Sequence, residues 1–190
     1  MKTKLKQQQQ QPEEQTTTSK KSLDLSENMI SILIKQISHE LHNYSLYKTF
    51  ANYFANNGLN LLQEYYDGRA DEELLHHKWI SDYLIERGVF FKYPTVDEVD
   101  EEFDEHLDVF KLTVEVEEET TKYIYDIVDL AHKENDYLTL GWLMQNGNGA
   151  KLVMEQSEEL DISNTALDIA SQDDSSWLEK ERAILKAYKS

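Results

Sequence analysis

The segment DEELLHH, at positions 71–77, places a glutamate and a histidine, Glu73 and His76, one helical turn apart. Residues three apart on a helix lie on one face, so their side chains can reach the same metal ion. The other positions on that face, spaced alternately by three and four, are mostly apolar and predict a bundle helix over about residues 59–87 that ends at Gly88. A carboxylate and an imidazole in such a stripe indicate a chemical site inside a helical bundle.

Two other predicted helices each carry one glutamate near the middle of their inward stripe. The first begins near Ser26 as N-cap, ends at Gly58 and carries Glu40 among mostly apolar residues. The third, over about residues 101–132, contains the run EVEEE, in which the helical period selects Glu117 for the inward face. The other glutamates of that run are expected to face solvent: Glu115, Glu118 and Glu119.

Three buried carboxylates need a compensating charge, because an unpaired buried carboxylate is costly or becomes protonated. Arg69 is the only basic residue in these stripes, so protein cations are poor candidates. Two divalent ions would balance Glu40, Glu73 and Glu117, with His76 as a neutral ligand. Oxygen-rich ligation with one nitrogen favours iron or manganese, and the chain has no cysteine thiolate for softer ions. The pattern therefore predicts a dinuclear metal centre.

The composition narrows the fold and the class of partner. A chain of 190 residues with 39% hydrophobic side chains is long enough for one domain with a core. Its 2 prolines and 6 glycines are few, which favours an all-α fold. The formal net charge of -18 argues against a nucleic-acid partner, because phosphate binding needs a basic surface.

The sequence also predicts a location and domain limits. No apolar run reaches the roughly 20 residues of a membrane span, and the first residues lack the apolar segment of a secretory signal. A cytoplasmic protein without a membrane partner is therefore expected. Residues 1–22 are rich in Gln, Lys and Thr and predict a disordered tail, so that residues 23–190 form the domain.

These motifs resemble those of the ferritins, in particular the bacterial non-haem ferritins. The resemblance is carried by HELHNYSLY, which contains Glu40 and Tyr47, by DEELLHHKWISDYLIERG, by VEVEEE and by LAHKENDY, with spacings that match without an insertion. It covers about residues 26–188. It implies an all-α, ferritin-like four-helix bundle with a long crossover loop, GVFFKYPTVDEVD, and a short C-terminal fifth helix, SSWLEKERAILKAYKS.

The resemblance also implies a function and residue roles. Glu40 and His76 would bind the first iron, Glu73 would bridge, Glu117 would bind the second, and Tyr47 would be the catalytic tyrosine beside them. The implied activity is that of a ferroxidase, which oxidises two Fe(II) ions per subunit with oxygen or peroxide. The implied assembly is a cage of 24 copies that stores a ferric mineral.

The fourth helix leaves two registers open. It begins after Asp136 as N-cap and then meets NGNG, in which each glycine costs roughly 1 kcal/mol relative to alanine. The family expects a glutamine there, within Glu-Gln-x-Glu-Glu, and an ungapped count puts Ala150 at that position. A shift of six residues instead places EQSEE on the motif, with Gln156 and Glu159 as ligands. We favour the shifted register, in which NGNG is an insertion that breaks or bulges the helix; in the other register the second iron lacks a ligand.

Two further functions compete with storage and oxidation. A di-iron or di-manganese oxidase of the same bundle class would carry Glu-x-x-His on two helices, and this chain shows it only at Glu73 and His76. The other competitor is a ferritin-like shell or structural subunit in which the change in the fourth helix has impaired the site.

Overall fold

The computed structural model describes residues 24–145 and 147–190, so the tail predicted at 1–22 lies outside the described residues. Within these ranges the chain is helical without strands, which confirms the all-α prediction. None of the described helices has a stretch long and apolar enough to cross a membrane. The helices are α1 (Glu27–Asn56), α2 (Asn60–Glu86), α3 (His106–Glu134), α4 (Tyr137–Met144), α5 (Asn148–Ala170) and α6 (Trp177–Tyr188).

The ends of α1 and α2 follow local rules. The Ser26 hydroxyl accepts a hydrogen bond from the Met29 amide at 2.9 Å, which satisfies one of the free amides of the first turn. Gly58 and Gly88 follow the two helices with positive φ angles of 75° and 72°, where a side chain would be strained. The predicted N-cap and both predicted ends are therefore confirmed.

The helix α3 begins about five residues later than the sequence predicts. The helix begins at His106, after a capping box in which the Glu105 and Asp108 side chains each accept from the other residue's backbone amide. The residues before Glu105 belong to the crossover that spans 87–105. The helical spacing through Glu117 would put Phe103 on the inward stripe of a longer helix, but Phe103 packs against the core from this loop.

The four long helical segments form a bundle with a divided core. α1 packs mainly along α2, α3 packs along α5, and α6 contacts α2 and α5. One apolar cluster includes Phe50, Phe54 and Phe110, and the other includes Leu33, Ile80 and Ile124. On α1, α2 and α3, the predicted glutamates lie between the parts of the helix that enter these two clusters. The bundle therefore has a polar layer with an apolar core on each side.

The fourth bundle helix is interrupted at NGNG, as predicted. α4 ends at Met144 and α5 begins at Asn148, with Gly147 between them at a φ of 144°. Asp136 caps α4 by accepting from the Thr139 amide at 3.1 Å. The interruption divides the predicted helix into two, and the predicted short C-terminal helix is α6.

The junction between α4 and α5 gives a stability prediction. A Cβ added at Gly149 would lie 2.5 Å from the carbonyl oxygen of Trp142, whereas the nearest atom at Gly141 would be 3.7 Å away. Gly141→Ala should stabilise the fold by up to about 1 kcal/mol, as alanine does within a helix. Gly149→Ala should destabilise the fold, because the added Cβ would clash with Trp142 and force α4 and α5 apart. Guanidinium denaturation of both variants measures the difference, and equal stabilisation would contradict the packing described.

Candidate metal centre

Six side chains that carry a carboxylate, an amide or an imidazole meet in the polar layer. α1 contributes Glu40, and the remaining residues come from α2, α3 and α5: Glu73, His76, Glu117, Gln156 and Glu159. None of the six residues is more than 4% exposed. The helical period explains this burial, because each residue occupies a core-facing position between apolar neighbours.

The possible ligand atoms fall into two overlapping groups. We call Glu40, Glu73 and His76 the first cluster, and Glu73, Glu117 and Glu159 the second cluster. In each cluster the three ligand atoms lie within 4.8 Å of one another. Glu73 belongs to both, so one carboxylate is placed to contact two ions at once.

Several of these atoms lack a hydrogen-bond partner within the protein. Buried oxygens of Glu40, Glu73 and Glu159 and both ring nitrogens of His76 have no hydrogen bond. Buried polar atoms without partners are rare in folded proteins and need an explanation. Oxygen and imidazole donors that converge in this way suit iron or manganese, so the residues present fit a pair of such cations.

Glu117 is held by donors from three helices. Its Oε1 accepts from the Tyr47 hydroxyl and from Arg69 Nη2, the latter at 2.5 Å. Its Oε2 accepts from Gln156 Nε2 at 2.7 Å. Burial and the charge of Glu117 raise the pKa of Tyr47 well above its usual value, so its hydroxyl stays protonated and able to donate.

The position of Gln156 bears on the register of the fourth helix. This side chain contacts Glu117, while Ala150 lies six residues earlier on α5, about 9 Å along the helix axis. The shifted register therefore brings the glutamine of EQSEE into the polar layer. Glu159, in the same motif, follows Gln156 by one turn and joins the second cluster.

Two carboxyl groups of the second cluster, those of Glu73 and Glu159, have raised pKa values when no cation is bound. Burial raises the pKa of Glu73 well above its usual range, and the negative charges of Glu40 and Glu117 raise it further. Burial also raises the pKa of Glu159 to about 8, against the opposing charge of Arg69. Cations that bind here must release these protons.

A pH dependence of stability follows for the metal-free protein. Because the folded pKa of Glu159 is raised from 4.5 to about 8, the folded state binds more protons than the unfolded chain between these values. The stability contributed by the protonated carboxyl is complete below about pH 4.5 and is lost as the pH rises towards about 8. The chelator-treated protein should therefore melt at a lower temperature at the upper end of this range. Glu159→Gln should reduce the difference; an unchanged pH dependence in the variant would contradict the assignment.

Comparisons with known proteins show which family this chain belongs to. Residues 30–146 match the family model for the ferritin-like domain. The chain belongs to the ferritin family. This ferritin is 29% identical to the bacterial non-heme ferritin of Staphylococcus saprophyticus over 164 residues, which covers 84% of the chain and 95% of that relative. Membership supports a role in iron storage.

Solved structures agree with this assignment. The open-pore ferritin of the hyperthermophilic archaeon Archaeoglobus fulgidus aligns with this ferritin at a TM-score of 0.74 and 27% identity, covering 86% of this chain and 98% of that one. An engineered closed form of the Archaeoglobus fulgidus ferritin aligns at a TM-score of 0.72 and 30% identity, over 85% of this chain and 97% of the other. The ferritin fold predicted from the sequence is confirmed.

Sequence reasoning missed two residues of this ferritin's polar layer. Arg69 was set aside as a source of compensating charge, yet its guanidinium pairs with Glu117 inside the layer. Glu155 places its Oε2 3.4 Å from His76 Nε2. A signal existed for both, because Arg69 lies on the inward stripe of α2 and Glu155 opens EQSEE.

Proposed function

We propose that this ferritin stores iron and is a ferroxidase, with one Fe(II) ion bound as substrate in each cluster and Glu73 bridging the two. The observation that supports this best is the sharing of Glu73 between two buried ligand groups, in which oxygens of Glu40, Glu73 and Glu159 and both nitrogens of His76 lack hydrogen-bond partners. Carboxylate ligands stabilise Fe(III) more than Fe(II), because the charge that they compensate is higher. A site of this composition therefore favours oxidation of bound Fe(II).

The proposed reaction uses oxygen or peroxide as oxidant. Each of the two Fe(II) ions gives up one electron, and the oxidant takes up the pair together with protons. Tyr47 donates its hydroxyl proton to Glu117 and so orients this ligand beside the second cluster. The Fe(III) ions then leave for the mineral in the interior of a cage, which we expect to contain 24 subunits in the cytoplasm.

Anaerobic loading followed by air tests the proposal. The assembled protein, stripped with a chelator, should bind two Fe(II) ions per subunit under argon. Air should then produce Fe(III) absorbance and consume oxygen in a rapid phase that scales with the bound iron. Light scattering should give the size of a 24-subunit cage. Binding of fewer than two ions, or oxidation no faster than in buffer, would contradict the ferroxidase proposal.

A second candidate is a shell subunit with an impaired site. The contact between Arg69 and Glu117 favours it, because the guanidinium occupies Oε1, one of the two oxygens that Glu117 could offer the second iron. Such a protein would still form a cage and take up iron, but without the rapid phase. The oxidase alternative lacks support, because Ile162 stands where a second Glu-x-x-His beginning at Glu159 needs its histidine.

A further inference from the structure

Arg69 is the one arginine or lysine, among the described residues, that lies within the carboxylate cluster. Its side chain is fully buried, and its Nη2 lies 2.5 Å from Glu117 Oε1 and 3.8 Å from Glu159 Oε2. A guanidinium in a protein is always protonated. A permanent positive charge therefore stands beside two of the three carboxylates of the second cluster.

The two clusters differ in how their ligand atoms are occupied. Both oxygens of Glu117 are hydrogen-bonded, Oε1 by Tyr47 and Arg69 and Oε2 by Gln156. In the first cluster, by contrast, a Glu40 oxygen and both nitrogens of His76 have no hydrogen-bond partner. A metal ion can enter the first cluster without displacing a donor. An ion that takes Oε1 of Glu117 must displace one.

Arg69 has another acceptor within reach. Its Nη1 lies 3.5 Å from Glu72 Oε2, an oxygen without a hydrogen-bond partner. Glu72 is one turn further along α2, and its side chain is 33% exposed. A rotation of the guanidinium towards Glu72 would release Glu117 and keep the buried charge paired, which avoids leaving an isolated cation.

We propose that Arg69 is an internal counter-ion that makes the two iron positions unequal. The first Fe(II) binds in the first cluster, and the second binds in the second cluster as Arg69 moves from Glu117 to Glu72. This inference rests on the proposed function of the site. Like charges a few ångströms apart repel strongly away from bulk water, so Arg69 weakens binding at the second cluster selectively. In the metal-free protein the same charge compensates the buried carboxylates.

Calorimetric titration with Fe(II) alone under argon tests the proposal on the assembled, full-length protein. The matched variants are Arg69→Gln, which removes the charge but keeps amide donors, and Arg69→Lys, which keeps the charge. The wild type should show two binding steps, with the second weaker. Arg69→Gln should tighten the second step by about tenfold or more and leave the first unchanged. Arg69→Lys should keep the wild-type separation of the two steps.

The outcomes separate this role from a merely structural one. If Arg69→Gln and the wild type bind two ions with the same constants, the role of Arg69 is wrong while the proposed function stands. An equal change in both steps also overturns it, because a general loosening of the bundle would act on both clusters. If the wild type binds no pair of Fe(II) ions, the proposed function fails and this inference fails with it.

A second variant keeps the test valid if loss of the buried charge prevents folding. Glu72→Gln leaves Arg69 in place and changes a partly exposed side chain, but removes the charge that receives the guanidinium. The second step should weaken by about tenfold, and the first should be unchanged. An unchanged second step in this variant would contradict the proposed movement of Arg69.

Discussion

Replacement of Glu73 by glutamine is expected to abolish paired binding of Fe(II) and to slow iron oxidation by roughly a hundredfold or more. Glu73 is the residue that both clusters share, so its loss affects both ions at once. Glutamine keeps the shape of the side chain but offers one neutral oxygen in place of two charged ones. Anaerobic calorimetry measures the binding, and the Fe(III) absorbance after exposure to air measures the rate.

The same variant, Glu73→Gln, should increase the stability of the metal-free protein. Burial raises the pKa of Glu73 well above its usual value, so the folded protein favours the protonated carboxyl more than the unfolded chain does. Glutamine needs no proton, and the metal-free variant should melt at a higher temperature than the wild type. Glu118→Gln is the matched control, because Glu118 is exposed on α3 next to Glu117. Oxidation at the wild-type rate in Glu73→Gln, or a similar loss in the control, would refute the assigned role.

The largest expected loss of stability comes from replacing Tyr66, whose ring lies at the centre of one apolar cluster. The ring is stacked on Phe54 at 5.5 Å and meets Phe50, Tyr65 and Tyr47 at centroid distances of 5.2, 4.8 and 6.0 Å. Tyr66→Ala should lower the free energy of unfolding by about 3–5 kcal/mol, because the rings around it cannot close a cavity of that size.

Tyr66→Phe separates the ring from its hydroxyl. The Tyr66 hydroxyl lies 2.9 Å from Thr113 Oγ1, and Thr113 donates its own proton to the Val109 carbonyl at 2.8 Å. Loss of the Tyr66 hydroxyl therefore leaves the Thr113 hydroxyl bonded to the Val109 carbonyl. The expected decrease in the free energy of unfolding is only about 1 kcal/mol. Guanidinium denaturation of both variants measures the difference. If Tyr66→Ala lowers the free energy of unfolding no more than Tyr66→Phe does, packing of the Tyr66 ring does not stabilise the fold as described.

Much of the fold follows from short-range rules that can be applied to the sequence. Glu40, Glu73, His76 and Glu117 are all buried in one layer, because a residue's face on a helix depends only on its spacing from apolar neighbours. The break at NGNG also follows from the local cost of glycine. The binding of iron by these residues stays a prediction.

Other features depend on how one helix is placed against another, which spacing alone does not define. An alternation of three and four residues through Glu40 places Ile30 and Tyr44 on the inward face of α1, yet both are only half-buried, while Gln36 and Asn43 are buried. The strict alternation of three and four drifts from the true helical period over a helix of 30 residues. The contact of Arg69 with Glu117 joins α2 to α3, and no pattern within either helix indicates it.

The most direct test of the dinuclear centre is anomalous diffraction at the iron absorption edge from crystals soaked anaerobically in Fe(II). Two iron positions are predicted in each subunit, both coordinated by Glu73. Glu40 and His76 should complete the contacts of one ion, and Glu117 and Glu159 those of the other. Iron found only on the outer surface, with Glu73 bound to none, would contradict the account.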